Sequence, residues 1–228
     1  MDSLHTLILI SIGVLALLAA LLGVVEWRRY SAQGVRSHLY WAVGLLLVFF
    51  TLFEEVIFYA GYWTSGLLSS YFFLVALLVG ILSFGSAENG LPAKWRRVYM
   101  AYVTGATAVT AFFCLTTTVS GSVLSQGVVT GNPSLGIVLS STALTVPAAA
   151  LMAGLALLGV YRNRVWRLAY IAAGILVISA AGGLYIVSVP VTLYYAEFIG
   201  VFLLYVGFGG VRPSALRRPA PASSSSGN

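Results

Sequence analysis

Seven long apolar runs, joined by short polar segments, make up most of the chain. A helix needs about 20 apolar residues to cross a hydrocarbon layer about 30 Å thick, and each run is near that length. None of the connecting segments is long enough to form a soluble domain. The pattern predicts an all-α polytopic membrane bundle of seven transmembrane helices over residues 1–210, with approximate bounds Leu4–Glu26, Leu39–Trp63, Gly66–Gly85, Trp95–Val119, Leu135–Tyr161, Trp166–Ser188 and Val191–Gly210.

The composition agrees with this pattern. Hydrophobic residues form 60% of the chain, charged residues form 8%, and the mean hydropathy is +0.97. A soluble domain has about 25% charged residues, so we expect a multi-pass protein of a cell membrane, surrounded by lipid bilayer. Residues 211–228 are rich in Pro, Ser and Arg, and we expect them to form a disordered, basic and Ser-rich cytoplasmic tail.

The basic residues predict the orientation of the bundle. All 12 occur in four short groups beside apolar runs: Arg28, Arg29 and Arg36; Lys94, Arg96 and Arg97; Arg162, Arg164 and Arg167; Arg212, Arg217 and Arg218. With seven spans, all four groups lie on one face of the membrane. The positive-inside rule then places the N-terminus outside and the C-terminus inside. Groups of this kind are typical of helix anchors and of contact with anionic lipids, so we expect no nucleic-acid partner.

Three carboxylates interrupt the apolar runs: Glu54 and Glu55 in the second run, and Glu197 in the seventh. An ionisable group inside a bilayer costs at least about 2.5 kcal/mol, so such groups normally face a protein interior or a wet cavity. By the helical rise, Glu55 lies about 12 Å below Trp63 and Glu197 lies about 10 Å below Pro190. The three carboxylates therefore share one depth in the outer half of the bundle.

This shared depth predicts an acidic pocket that opens outward. Glu55 and Glu197 are its central members, and the other candidates are polar residues near the same depth or on the same helical face: Thr51, Tyr59, Tyr71, Ser141 and Tyr194. Adjacent residues on a helix diverge by about 100°, which favours Glu55 over Glu54 as the pocket member.

Several familiar sites are excluded by the residues themselves. The single lysine, Lys94, precedes the fourth run, which rules out a retinal Schiff base in the last helix. His5 and His38 fall at opposite membrane faces, so one chain cannot form a bis-histidine haem site. There is no phosphate-binding glycine loop and no metal-ligand spacing of Cys or His. We therefore expect no cofactor and no metal.

Part of the chain resembles known groups of membrane proteins. The segments HLYWAVGLLL, GYW and YFFLVALLVG in the second and third runs, with Glu55 between them, resemble a broad group of uncharacterised prokaryotic multi-helix membrane proteins. The architecture is also similar to the seven-helix sensor regions that precede some histidine kinases.

A second resemblance concerns the acidic pair. Glu54 and Glu55, followed by Phe58 and Tyr59, resemble the pair of membrane-bound lycopene cyclases, although Leu52 stands where that pattern has proline. Other seven-helix terpene cyclases place one acid near the second helix and another in the last. That resemblance implies catalytic roles for Glu55 and Glu197.

Three functions follow from these residues. The first is a ligand-binding or sensory module, or a small subunit of a membrane complex, which needs only the pocket and the basic inner face. The second is an intramembrane isoprenoid cyclase or isomerase, with Glu55 and Glu197 as acid and base. The third is a proton-coupled carrier. The ligand is expected to be lipophilic or a small polar molecule, and the chain to form oligomers or join partner subunits.

Overall fold

The computed structural model describes residues 3–123, 129–186 and 190–209, and this part of the chain is almost entirely helical. It contains seven α-helices, each coinciding with one predicted run, which confirms the all-α prediction. Their bounds are α1 Ser3–Gln33, α2 Arg36–Tyr59, α3 Ser65–Gly90, α4 Ala93–Thr116, α5 Leu135–Asn163, α6 Arg167–Ile186 and α7 Pro190–Gly209.

Five of these helices, α1 to α5, are long and apolar enough to cross a membrane. In α6 and α7 the described apolar stretches are shorter, Arg167–Ile178 and Phe198–Gly207. The predicted tail, residues 211–228, lies outside the described residues. Length and apolar surface together make the chain a membrane protein, because a soluble fold does not leave so many large apolar side chains exposed.

Six helices form a closed ring in which α1, α2, α3, α5, α6 and α7 each pack against the next, and α7 returns to α1. Helix α4 packs against α3 and α5. All side chains of α4 are described, and of these Val103, Thr110 and Cys114 are buried. We conclude that α4 lies at the periphery of the bundle.

Local sequence signals set the ends of several helices. The Thr64 hydroxyl accepts a hydrogen bond from the Leu67 amide at 3.1 Å and caps α3, and Ser134 caps α5 in the same way. Gly34 has a φ of +65° and follows the last residue of α1, where an L side chain would be strained. The connection from α1 to α2 is very short, because it consists of residues 34–35.

The segment between α4 and α5 contains a β-hairpin that the sequence did not predict. Strands β1 (Ser120–Val123) and β2 (Val129–Asn132) are antiparallel, with Ser120 opposite Asn132. The hairpin packs over the start of α3, where the Val119 amide donates a hydrogen bond to Ser65 at 3.1 Å. We call this end of the bundle the hairpin end and the opposite end, with Arg29 and Arg96, the basic end.

Candidate functional site

Helix α2 carries ionisable side chains near both of its ends. His38 lies in its first turn at the basic end, and Glu54 and Glu55 lie near its last turn at the hairpin end. The residues between them are predominantly apolar. At 1.5 Å per residue, the two positions are about 24 Å apart along the helix. Each end makes its own set of polar contacts with a neighbouring helix.

Glu55 is nearly closed to solvent, with 5% of its surface exposed. Its Oε1 atom accepts a hydrogen bond from the Tyr71 hydroxyl of α3 at 2.8 Å. Its Oε2 atom is buried and has no hydrogen-bond partner. One oxygen of this carboxyl group is thus fixed, and the other is buried without a donor.

Glu54 makes the matching contact one residue earlier on each helix. Its Oε1 atom accepts a hydrogen bond from the Ser70 hydroxyl at 2.6 Å, while its Oε2 atom is buried and lacks a partner. Ser70 also lies 2.9 Å from the Leu67 carbonyl oxygen. Since a serine hydroxyl has a single hydrogen, it cannot fully serve both acceptors. The site therefore has more acceptor atoms than donor hydrogens.

The structure differs from the helical-wheel expectation that Glu54 points away from the neighbours of Glu55. Both carboxyl groups reach α3, because their partners Ser70 and Tyr71 are themselves adjacent and the long glutamate side chains span the difference in direction. We therefore describe Glu54 and Glu55, with their partners Ser70 and Tyr71, as one acidic site.

The other predicted pocket residues whose side chains are described fall into two groups. Thr51 and Tyr59 are buried one helical turn before and after Glu55, and the Thr51 hydroxyl donates to the Val48 carbonyl at 2.8 Å. Ser141 of α5 instead donates to the Val138 carbonyl of its own helix at 3.2 Å. Within the described residues, no hydrogen bond connects Ser141 with the acidic site.

The side chains of Glu197 and Tyr194 lie outside the described residues, although the α7 backbone is helical at both positions. Val201, one turn after position 197, packs in a cluster with Leu52 and Tyr59 of α2. These two α2 residues lie on either side of Glu55 along the helix. The cluster also contains Ile12 and Leu15 of α1, the helix against which α7 packs, so α7 and α2 share this cluster near the level of the acidic site.

Aromatic residues surround the acidic site. Tyr71 makes edge-to-face contacts with Phe58 at a ring-centroid distance of 5.4 Å and with Phe72 at 6.0 Å. The hairpin extends this apolar cover, because Gly121 lies against Trp63 and Gly131 lies against Phe72. Aromatic side chains therefore pack against Tyr71, the hydrogen-bond partner of Glu55, where α2 ends and α3 begins.

Another buried carboxyl group, which was not predicted from the sequence, lies at the basic end. Glu26 of α1 is completely buried. Its Oε1 atom accepts a hydrogen bond from Arg29 Nη1 at 2.6 Å, and its Oε2 atom lies 2.6 Å from His38 Nδ1 of α2. Both oxygens are thus satisfied. This cluster joins α1 to α2, as a packed ion pair does in a protein interior.

The sequence contained a signal for this cluster. Glu26 ends the first apolar run and His38 immediately precedes the second, so both belong to the same face of the bundle. The short connection at Gly34 brings the two helices together there. The continuation of α1 to Gln33, beyond the predicted end at Glu26, encloses the Glu26 side chain within the helix pair.

Charge is distributed differently at the two ends. The ion pairs found among the described residues all lie at the basic end, where Glu88 also pairs with Arg96 at 2.7 Å. Glu54 and Glu55 have no basic partner in the described part of the chain. Within that part, no group of three or more His, Cys, Asp or Glu side chains could hold a metal ion.

These features define the class of the molecule as a helical membrane protein with an enclosed acidic site. Comparisons with protein-family models, curated proteins and solved structures found no match.

Proposed function

We propose that this chain is a seven-helix membrane protein whose acidic site binds a small ligand. It would serve as a ligand-binding or sensory module, alone, as an oligomer or as a subunit of a larger membrane complex. The observation that supports this function is the pair of buried, unpartnered Oε2 atoms of Glu54 and Glu55. Buried polar atoms normally have partners, and an acceptor without a donor costs about 1–3 kcal/mol. A ligand that donates hydrogen bonds to these atoms would recover that cost.

The proposal includes the orientation of the protein in a cell membrane. All seven helices cross the bilayer, with the hairpin end outside and the basic end at the inner face, against anionic lipids. The distribution of all 12 basic residues supports this orientation. The acidic site then lies in the outer half of the bilayer, within reach of external or membrane-dissolved ligands.

Cysteine labelling tests this topology. In a Cys114→Ala background, single cysteines at Gln126 and at Ser223 should react with a membrane-impermeant reagent from opposite sides. Gln126 lies between β1 and β2 in the sequence, and Ser223 lies in the basic tail. Labelling of both positions in intact cells would contradict the seven-span arrangement.

Native extraction tests the binding function. The protein is extracted with its surrounding lipids, and bound small molecules are identified by mass spectrometry in the wild type and in Glu55→Gln. We expect a specific molecule to be retained by the wild type and lost from the variant, because the variant lacks the Glu55 carboxylate. Glu88→Gln, the same change at the basic end, should retain it. Equal retention by both variants would contradict a role for the acidic site.

A second function, an intramembrane isoprenoid cyclase or isomerase, is favoured by the position of α7. Val201 belongs to the buried cluster that contains Leu52 and Tyr59, and position 197 lies one turn earlier on the same helix. Glu55 and Glu197 would then act as acid and base on opposite sides of a substrate. A bound isoprenoid in the extraction experiment would favour this enzyme, whereas a polar solute would favour a carrier.

A further inference from the structure

We propose that the ligand of the acidic site carries a primary ammonium group, which donates hydrogen bonds to the buried Oε2 atoms of Glu54 and Glu55. This inference rests on the proposed binding function and names the chemical class of the ligand. It is carried by the buried oxygen of Glu55, a side chain more than nine-tenths buried, and by the matching oxygen of Glu54.

The acidic site has fewer hydrogen-bond donors than acceptors. The two carboxylates offer four oxygen atoms, and the hydroxyl groups of Ser70 and Tyr71 supply the donors that reach two of them. The Ser70 hydrogen is also shared with the Leu67 carbonyl. An ammonium group supplies three N–H donors and no acceptor. An ammonium group therefore supplies the hydrogen-bond donors that the acidic site lacks.

The acidic site also lacks a positive charge among the described residues. Two ionised carboxylates in a low-dielectric environment are costly unless a positive charge compensates them, and the described residues supply no such charge at the hairpin end. Glu26 and Glu88 show the contrast, because each has a cationic partner within 2.7 Å at the basic end. A cationic ligand would give Glu54 and Glu55 the kind of partner that Glu26 and Glu88 already have.

The surrounding side chains favour an organic cation. Phe58, Tyr71 and Phe72 form an aromatic group beside the carboxylates, and aromatic rings attract ammonium groups through their electron-rich faces. Ca²⁺ takes 6–8 oxygen ligands. Two glutamates, with no third His, Cys, Asp or Glu grouped with them in the described ranges, fall well short of that number.

Titration calorimetry with n-butylammonium chloride tests this class. The full chain is reconstituted in nanodiscs of phosphatidylcholine, so that lipid charge does not attract the amine. We expect saturable binding to the wild type, weakened by about tenfold or more in both Glu54→Gln and Glu55→Gln, because each loses one charged contact. Glu88→Gln should bind as the wild type does. Thermal unfolding of each variant confirms that it is folded.

Three results would overturn the proposal: no binding of n-butylammonium, equal binding of tetramethylammonium, which has no N–H group, or equal competition by sodium ions. A protonated-carboxyl infrared band that persists at saturating amine and disappears in Glu55→Gln would also overturn it, since protons would then satisfy the site. If these tests fail but Glu55→Gln still loses the co-purified molecule, the ligand class is wrong and the binding function stands. If neither experiment responds to Glu55→Gln, both are wrong.

Discussion

Removing both partners of Glu26 should be among the most damaging changes in the chain. In the double variant Arg29→Met and His38→Leu, the completely buried Glu26 carboxylate has neither of its two hydrogen-bonded partners. A buried charge left without compensation costs about 3–5 kcal/mol, and we expect the free energy of unfolding to fall by that amount. Denaturant titration of the purified protein in mixed micelles measures the loss.

A third substitution separates electrostatics from packing. Adding Glu26→Leu to the double variant removes the unpaired charge and fills similar space, so most of the lost stability should return. Arg28→Met is the matched control, because Arg28 is an exposed neighbour and its replacement should change stability by less than about 0.5 kcal/mol. If the triple variant is no more stable than the double, the cluster is not held by charge pairing.

The seven helices could be predicted because their signal is strong and local. A run of about 20 apolar residues has few alternatives to a spanning helix, and the rise per residue gives the depth of each side chain along it. That is why the position of Glu55 near the end of α2 was predicted. The sequence did not indicate which residue of α3 contacts Glu55, although Tyr71 was predicted as a pocket residue from its depth alone.

The rotation of each helix about its axis could not be predicted. Helices α1 and α3 are apolar on all sides, so their sequences do not indicate which face meets a neighbour. The pairing of Glu26 with His38 and the shared contacts of Glu54 and Glu55 both depend on that rotation. The hairpin was missed for another reason, because its strands are short and rich in Gly, Ser and Thr, with little alternation of polar and apolar residues.

The contact between α6 and α7 should be sensitive to a single added methyl group. A Cβ atom at Gly174 would lie 2.7 Å from the Gly200 carbonyl oxygen and 3.0 Å from Leu204 Cγ. The first of these neighbours is backbone, which cannot move aside as a flexible side chain does. Gly174→Ala should therefore separate the two helices and lower the free energy of unfolding by about 1–3 kcal/mol, and Gly174→Val by more.

Gly154 in α5, unlike Gly174, has free space beside its Cα atom. A Cβ atom there would meet no atom within 4 Å, and alanine is a better helix former than glycine by about 1 kcal/mol. Gly154→Ala should thus leave stability unchanged or raise it, while Gly174→Ala lowers it, when both are unfolded under the same conditions. Small residues at helix contacts allow backbones to approach closely in membranes, where apolar burial gives no further advantage over lipid. Equal stability of the two variants would show that α6 and α7 do not pack through Gly174 and Gly200.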